Sequence, residues 1–506
     1  MIKNFHINNF ILIKRVFTLL NNHPEGLRTL FFTEMWERMS YYGMRGILVL
    51  FMTASISEGG LNIDPVSASA IYGIYASCVY LVTLPGGWIA DRLIGQQRSI
   101  LYGGIIIMLG HFILAIPNIN TFYFGLLFVV LGTGLLKPNI SAIVGGLYDN
   151  ADKRKEAGFT IFYMAINIGS ILGFFICGYL GENIGWHYGF GAAGIGMAFG
   201  LLQFILYRNK LGSVGISPQE NINDKIKNRD FAIIWSALIV ILLLFITGVF
   251  GVWSFDPVPL AGLVTIIITL IALAYFLFIF LFGKLNETER RKMFLIFILF
   301  ISAAFFWSGF DQGGSSFNIF AKEYTNRLIG GWEYPASWLQ IVNPAFVVIL
   351  SPIMAYIWVF LGKRMLDPSL PFKFGLGLIL MGVGFVIIAM GANTAINNEA
   401  LASAKWLLLT YLFHTIGELV ISPIGLAAIS SLSPKRFIGQ MMGIWFLASS
   451  LRAILAGLLS GQATTEGLVS MPGLFNNIAI GASVVGLILI ILARPIHNWV
   501  FRENTK

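Results

Sequence analysis

Glu34, Glu37, Arg38 and Arg45 fall within a single apolar stretch, and on a helix turning 100° per residue they share with Tyr41 one stripe about 100° wide. Ionised groups of both signs on one face of an apolar helix can hold the charged end of a solute, or take up a proton that changes which partners pair. Four more charges, Lys137, Asp311, Glu418 and Arg452, lie in later apolar stretches. The eight together carry no net charge, as mutual pairing requires: each Asp, Lys or Arg left unpaired at a bilayer centre costs roughly 2.5 to 3.5 kcal/mol on insertion scales.

The elements that position these groups are membrane spans. Of the 506 residues 57% are hydrophobic and 11% charged, and the mean hydropathy is +0.79, which describes an all-α integral membrane protein. Apolar runs of spanning length fall at about 27-55, 65-92, 98-116, 121-146, 156-181, 186-208, 231-253, 258-283, 291-325, 335-362, 372-392, 402-429, 434-463 and 472-500. Fourteen helices place both termini on one side. Of the 33 Lys and Arg, 26 lie in loops or termini on that side, three (Lys322, Arg327 and Lys405) opposite, and four within spans. The net charge of +9 is thus a topology signal rather than a nucleic-acid one, and its distribution predicts that both termini are cytoplasmic; the location expected is the cell (inner) membrane. The two cysteines, Cys78 and Cys177, lie in spans and predict neither a disulfide framework nor a metal site.

The spans are unequal. Those at 231-253 and 258-283 contain no charge and follow the most polar linker, 211-230, which predicts a lipid-facing hairpin inserted between two bundles of six. The organisation expected is a cytoplasmic segment 1-26, retained and interfacial; a bundle 27-208; a linker and hairpin 209-290; a bundle 291-500; and a tail 501-506. The buried charges then fall in bundle helices one, four, seven, ten and eleven, consistent with a two-fold repeat whose first and fourth members line a central cavity.

Glu34-Met35-Trp36-Glu37-Arg38-Met39-Ser40-Tyr41-Tyr42 resembles the ExxERFxYY motif of the proton-coupled oligopeptide transporters of the major facilitator superfamily, with Met39 in place of Phe. Similar matches are GTGLLKPNISA at 132-142, FTIFYMAINIGS at 159-170, FFWSGFDQGGSS at 305-316, GELVISPIG at 417-425 and PKRFIGQMMGIWFL at 434-447. Gly86 to Arg98, GGWIADRLIGQQR, is similar to the superfamily's loop between helices two and three; its glycines permit close helix approach, and Arg92 and Arg98 stay cytoplasmic. The resemblance implies a twelve-plus-two helix symporter that imports di- and tripeptides with protons by alternating access.

From the residues alone, a free peptide needs a cation at one end and an anion at the other. Arg38 and Lys137 supply the first; the resemblance implies the same, with Tyr41, Tyr42, Tyr80 and Tyr163 lining the cavity and Arg45 facing Asp311 as an external latch. Glu418 with Asn167 and Asn343 can saturate an ammonium, and Ser422, Trp307 and Trp445 shape side-chain pockets. Glu34, Glu37, Arg38, Asp311 and Glu418 are the proton-coupling candidates: a protonated Glu37 would free Arg38 or Lys137 for a peptide carboxylate. Pro138, Pro344 and Pro423 follow Lys137, Asn343 and Ser422, predicting bends there. Residues 65-92 contain no His, and His111 and His414 read as packing residues. Arg452 matches no motif and is expected to snorkel outward. No cofactor, metal or nucleic acid is implied, lipid surrounds the protein, and a monomer holds a complete pathway. The alternatives are another solute on the same fold, such as nitrate or a peptide-like drug, a drug efflux pump, and an intramembrane enzyme using Glu37, Lys137 and Glu418.

Overall fold

The computed structural model describes residues 22–149, 152, 154–218, 223–252, 256–463 and 467–502. The segment 1-26 and the tail 501-506 lie largely outside these residues. Among the described residues fourteen long helices form: α1 Glu25–Thr53, α2 Pro65–Ile94, α3 Gln96–Leu114, α4 Ile119–Gly146, α5 Lys155–Ile184, α6 Trp186–Tyr207, α7 Asp224–Val249, α8 Pro257–Phe282, α9 Glu287–Phe310, α10 Val342–Lys363, α11 Leu370–Asn398, α12 Lys405–Leu432, α13 Ile438–Ala463 and α14 Met471–Val500. In lipid every backbone N–H and C=O must be paired internally, so apolar runs of this length are helical. Eleven segments among the described residues are long and apolar enough to cross a membrane. α1 falls outside that set because its middle carries the charge stripe.

Polar residues start several helices. Asn118, Asn223 and Asp256 cap α4, α7 and α8 by accepting backbone N–H groups, and Asn286 forms a reciprocal capping box with Glu289 at α9. The cap at Asn223 starts α7 seven residues before 231, so helix replaces the end of the expected linker. Asp230 is thereby buried and pairs with Arg92 at 3.3 Å, beneath which lies the Trp88 ring. The end of α2 is thus tied to the start of α7, and of the loop expected over 86-98 only Gly95 lies outside α2 and α3. Gly86 performs its expected service, since a methyl group there would approach the Gly134 carbonyl oxygen to 1.9 Å. Of the hairpin, α7 leaves Trp235, Leu243 and Leu244 exposed, whereas α8 buries a helical stripe, Ala261, Ile268, Ala272, Phe276 and Ile279. Its Phe276 packs edge-on against Phe297 and Phe300 of α9.

Two expectations need correction. The span 291-325 is not one helix: α9 stops at Phe310, a turn runs over Asp311–Gly314, and a short helix follows over Ser316–Glu323. The segment beyond it forms small strand pairs, Leu328–Ile329 with Trp332–Glu333 and Thr325–Asn326 with Ala402–Ser403. Pro344 does not bend a span either. It stands in the first turn of α10, where a missing N–H leaves no intrahelical bond unmade, and the interior proline of that helix is Pro352. Pro138 is inside α4 as expected; the side chain of Pro423 lies outside those described.

The chain packs as two compact units. One comprises residues 1–44, 82–177 and 187–254, the other 45–81, 178–186 and 255–506. α1, α2 and α5 each contribute to both.

Candidate functional site

In the first unit, i, i+4 and adjacent spacing on α1 brings three charges together. Arg38 Nε lies 3.0 Å from Glu34 Oε1 and 2.5 Å from Glu37 Oε2. All three are buried, with Glu37 at 0% exposure. Both Glu37 oxygens, like Glu34 Oε2 and Arg38 Nε and Nη2, make no hydrogen bond in this structure, so the Arg38–Glu37 contact is an ion pair. Half-buried Lys137 of α4 acts electrostatically on Glu34, and with it the four charges cancel. The Arg38 guanidinium stands 5.4 Å from the Tyr41 ring centre, and Tyr41 meets Tyr42 edge-on at 5.3 Å. α5 crosses α1 at this level, because a methyl group at Gly169 would lie 2.3 Å from Met35 O and 2.8 Å from Arg38 Cβ. That crossing carries Asn167, whose amide donates to Tyr163 O at 3.1 Å, and Tyr163, which is 42% exposed.

In the second unit, Asp311 sits at the break after α9 and is held by two guanidiniums. Arg45 Nη2 donates to its Oδ1 at 3.1 Å, and Arg452 Nη1 lies 3.6 Å from its Oδ2. Arg45 Nε also donates to Tyr72 Oη at 2.5 Å, and Arg452 Nη2 donates to Tyr80 Oη at 2.7 Å. The Arg452 guanidinium stands 4.8 Å from the Trp307 ring centre and 5.0 Å from that of Tyr80. Asn343 donates to Glu418 Oε2 and to Thr415 Oγ1, both at 3.0 Å. The charges of Arg452 and Asp311 both act on Glu418. Trp445 packs over Gly425, where a methyl group would meet its ring at 2.6 Å, and Ser422 is half-buried on the same helix, α12.

Around this cluster, ends of α1, α2 and α5 pack against second-half helices. Ser77 and Ser450 hydroxyls are 2.5 Å apart, and Asn318 donates to Gly46 O at 2.7 Å. The Glu182 carboxylate accepts from Ala336 N and Ser337 N at 2.9 Å and from Ser337 Oγ at 2.6 Å.

The structure therefore joins Glu34, Glu37 and Arg38, places Arg45 on Asp311, and pairs Asn343 with Glu418. It corrects the expectation for Arg452, which turns inward to Asp311 rather than snorkelling. One signal was available: Arg452 follows Trp445 by two helical turns, on the same face. Glu182 and Tyr72 were missed. The first binds mainly backbone N–H groups, which leave no mark in a sequence. His414 packs among Phe317 and Phe385 with Nε2 3.1 Å from Met381 O, as a packing residue should.

A family model described as PTR2, POT family, matches residues 97–472. The chain belongs to the POT family. It is 40% identical to the peptide transporter of Yersinia enterocolitica over 96% of both chains. To a di-/tripeptide transporter of Lactococcus lactis it is 38% identical over 94% of this chain and 96% of the relative. A crystal structure of a peptide transporter POT in complex with sulfate superposes with a TM-score of 0.88 at 38% identity, covering 94% of this chain and 96% of the other. Another, a POT family transporter in complex with 5-aminolevulinic acid, gives 0.85 at 34% identity, covering 94% and 97%. The POT protein described here thus has the major facilitator type of fold, and its family is one of transporters rather than enzymes.

Proposed function

We propose that this POT-family chain imports di- and tripeptides together with protons by alternating access, as a monomer in the inner membrane with both termini cytoplasmic. The observation that carries the proton coupling is the buried triad in which Glu34 and Glu37 share one arginine. Glu37 holds Arg38 by charge, without a hydrogen bond, so Arg38 changes partner when Glu37 takes a proton, and a peptide carboxylate replaces the lost anion. Lys137 assists at this end, with Tyr41, Tyr42 and Tyr163 beside it.

The anionic group Glu418 takes the peptide ammonium. Asn343 holds that carboxylate by its amide N–H, which leaves the amide oxygen to accept from the ammonium, and Asn167 adds a second amide. Trp307, Trp445 and Ser422 contact the substrate side chains, and Tyr80 reaches them through Arg452. Arg45 and Asp311 latch the external side, in support of which the Glu182 and Ser77 contacts join the same ends of α1, α2 and α5 to second-half helices. Alternating access follows when the two six-helix halves, 27-208 and 291-500, rock with the 209-290 insertion between them. 5-Aminolevulinic acid, bound by the related transporter, has a carboxylate and an amine at opposite ends, the same pair of charges a peptide offers.

The test is transport in liposomes loaded with the pH dye pyranine. Adding a dipeptide outside should acidify the lumen, and the accumulated dipeptide should be chemically unchanged. Accumulation without acidification would overturn proton coupling; no uptake of any dipeptide would overturn the substrate class.

A further inference from the structure

Arg452 lies outside the motifs of the sequence, yet it touches other elements. From α13 it reaches the Asp311 carboxylate after α9, the Tyr80 hydroxyl on α2 and the Trp307 face on α9. Its charge also acts on Glu418 of α12. In the second unit Arg45, Asp311 and Arg452 thus meet in a row of alternating sign, and Glu418 adds a negative charge that acts on it from α12. The other titratable groups facing it are Tyr72, which binds Arg45, and Tyr411, whose hydroxyl would lie 3.5 Å from a methyl group at Gly313. Asp311 divides its two oxygens between two arginines, at 3.1 Å to Arg45 and a looser 3.6 Å to Arg452.

We propose that Arg452 is a positioning residue that transmits the arrival of the peptide ammonium at Glu418 to the external latch at Asp311. The proposal rests on the assignment of Glu418 to the ammonium made above. While Glu418 is a bare carboxylate, it and Asp311 compete for one guanidinium, and Arg452 sits at 3.6 Å from Asp311. An ammonium on Glu418 cancels that competing charge. Arg452 then closes on Asp311 Oδ2 and draws away from Tyr80, so Asp311 needs Arg45 less. Both bonds that tie ends of first-half helices to this row, Arg45 to Asp311 and Arg452 to Tyr80, weaken together. The ammonium in this way acts on turnover as well as on binding.

The experiment compares L-alanyl-L-alanine with N-propanoyl-L-alanine, which lacks only the amine, in counterflow exchange by the full-length protein in liposomes. KM and kcat are measured separately for wild type, Arg452→Gln, Arg452→Lys and Glu418→Gln. Wild type should exchange the free amine with a kcat at least tenfold higher and a lower KM. Arg452→Gln should keep the KM difference but bring the kcat ratio below threefold, and Arg452→Lys should recover an intermediate ratio. A purely structural Arg452 would depress kcat for both solutes alike and leave the ratio at its wild-type value, which overturns the proposal. If Arg452→Gln does not assemble, Arg452→Lys decides: a full wild-type ratio refutes the relay. A wild type with no KM difference, matched by Glu418→Gln, shows that the Glu418 assignment has failed and the relay with it. A KM difference without a kcat ratio sinks the relay alone.

Discussion

Replacing Glu37 by Gln should abolish uphill peptide accumulation while leaving exchange intact. The structure sets the scale. Glu37 and Arg38 are 2.5 Å apart and buried, and at an effective dielectric of about 20 two unit charges at that distance attract by about 7 kcal/mol before desolvation is counted. Gln removes that attraction but keeps the shape, and Glu34, at 3.0 Å, still compensates Arg38. The net cost to folding should therefore stay below the roughly 3 to 5 kcal/mol seen when a buried charge loses its only partner. The transport consequence is larger. A proton carried inward through 100 mV contributes about 2.3 kcal/mol, enough for about a 50-fold concentration ratio at 1.36 kcal/mol per tenfold. Liposomes holding a potassium diffusion potential, inside negative, should thus concentrate dipeptide about 50-fold with wild-type protein. With Glu37→Gln the ratio should fall to about 1, while counterflow between equal peptide pools continues. Accumulation above about tenfold by a folded Glu37→Gln protein would refute the assignment of Glu37 as the proton carrier.

Glu418→Gln should raise KM for a free-amine dipeptide about 10- to 100-fold, as expected for a charge-assisted hydrogen bond of about 1.5 to 3 kcal/mol, and should barely change KM for an N-acylated analogue; uptake titrations read both. Glu182→Ala removes the acceptor of three hydrogen bonds and leaves the N–H groups of Ala336 and Ser337 without it. It should lower thermal stability by about 2 to 4 kcal/mol in all, as measured by a melting shift in detergent. His23, before α1, bonds the Tyr148 hydroxyl at 2.8 Å, and burial followed by the Arg154 charge holds its pKa below the ordinary 6.5. A histidine lowered on folding stabilises above its unfolded pKa, and that contribution is lost as pH falls through 6.5 and below. Melting temperature should therefore drop more steeply between pH 7.5 and 5.5 in wild type than in His23→Gln, and parallel curves would count against this contact.

Much of the site was legible because it is local. Glu34, Glu37 and Arg38 lie within two turns of one helix, so period alone places them together. Trp445 and Arg452 share a face for the same reason, but nothing in that spacing says what the face meets. Arg45 and Asp311 are 266 residues apart, and Arg452 and Tyr80 are 372 apart. Resemblance supplied the first of these pairs; the second had no motif to announce it, and Arg452 consequently read as a residue reaching for the membrane surface.

Composition and hydropathy determine that this chain is helical and where its long apolar runs lie, because lipid forces each apolar run to satisfy its backbone within itself. What only the tertiary structure decides is which charge neutralises which across helices, where α9 breaks at Asp311, and that Glu182 binds the start of the Ala336–Ile341 turn. Those outcomes depend on the approach of separate helices within a few ångströms, and Coulomb and hydrogen-bond energies respond to that distance rather than to separation along the chain.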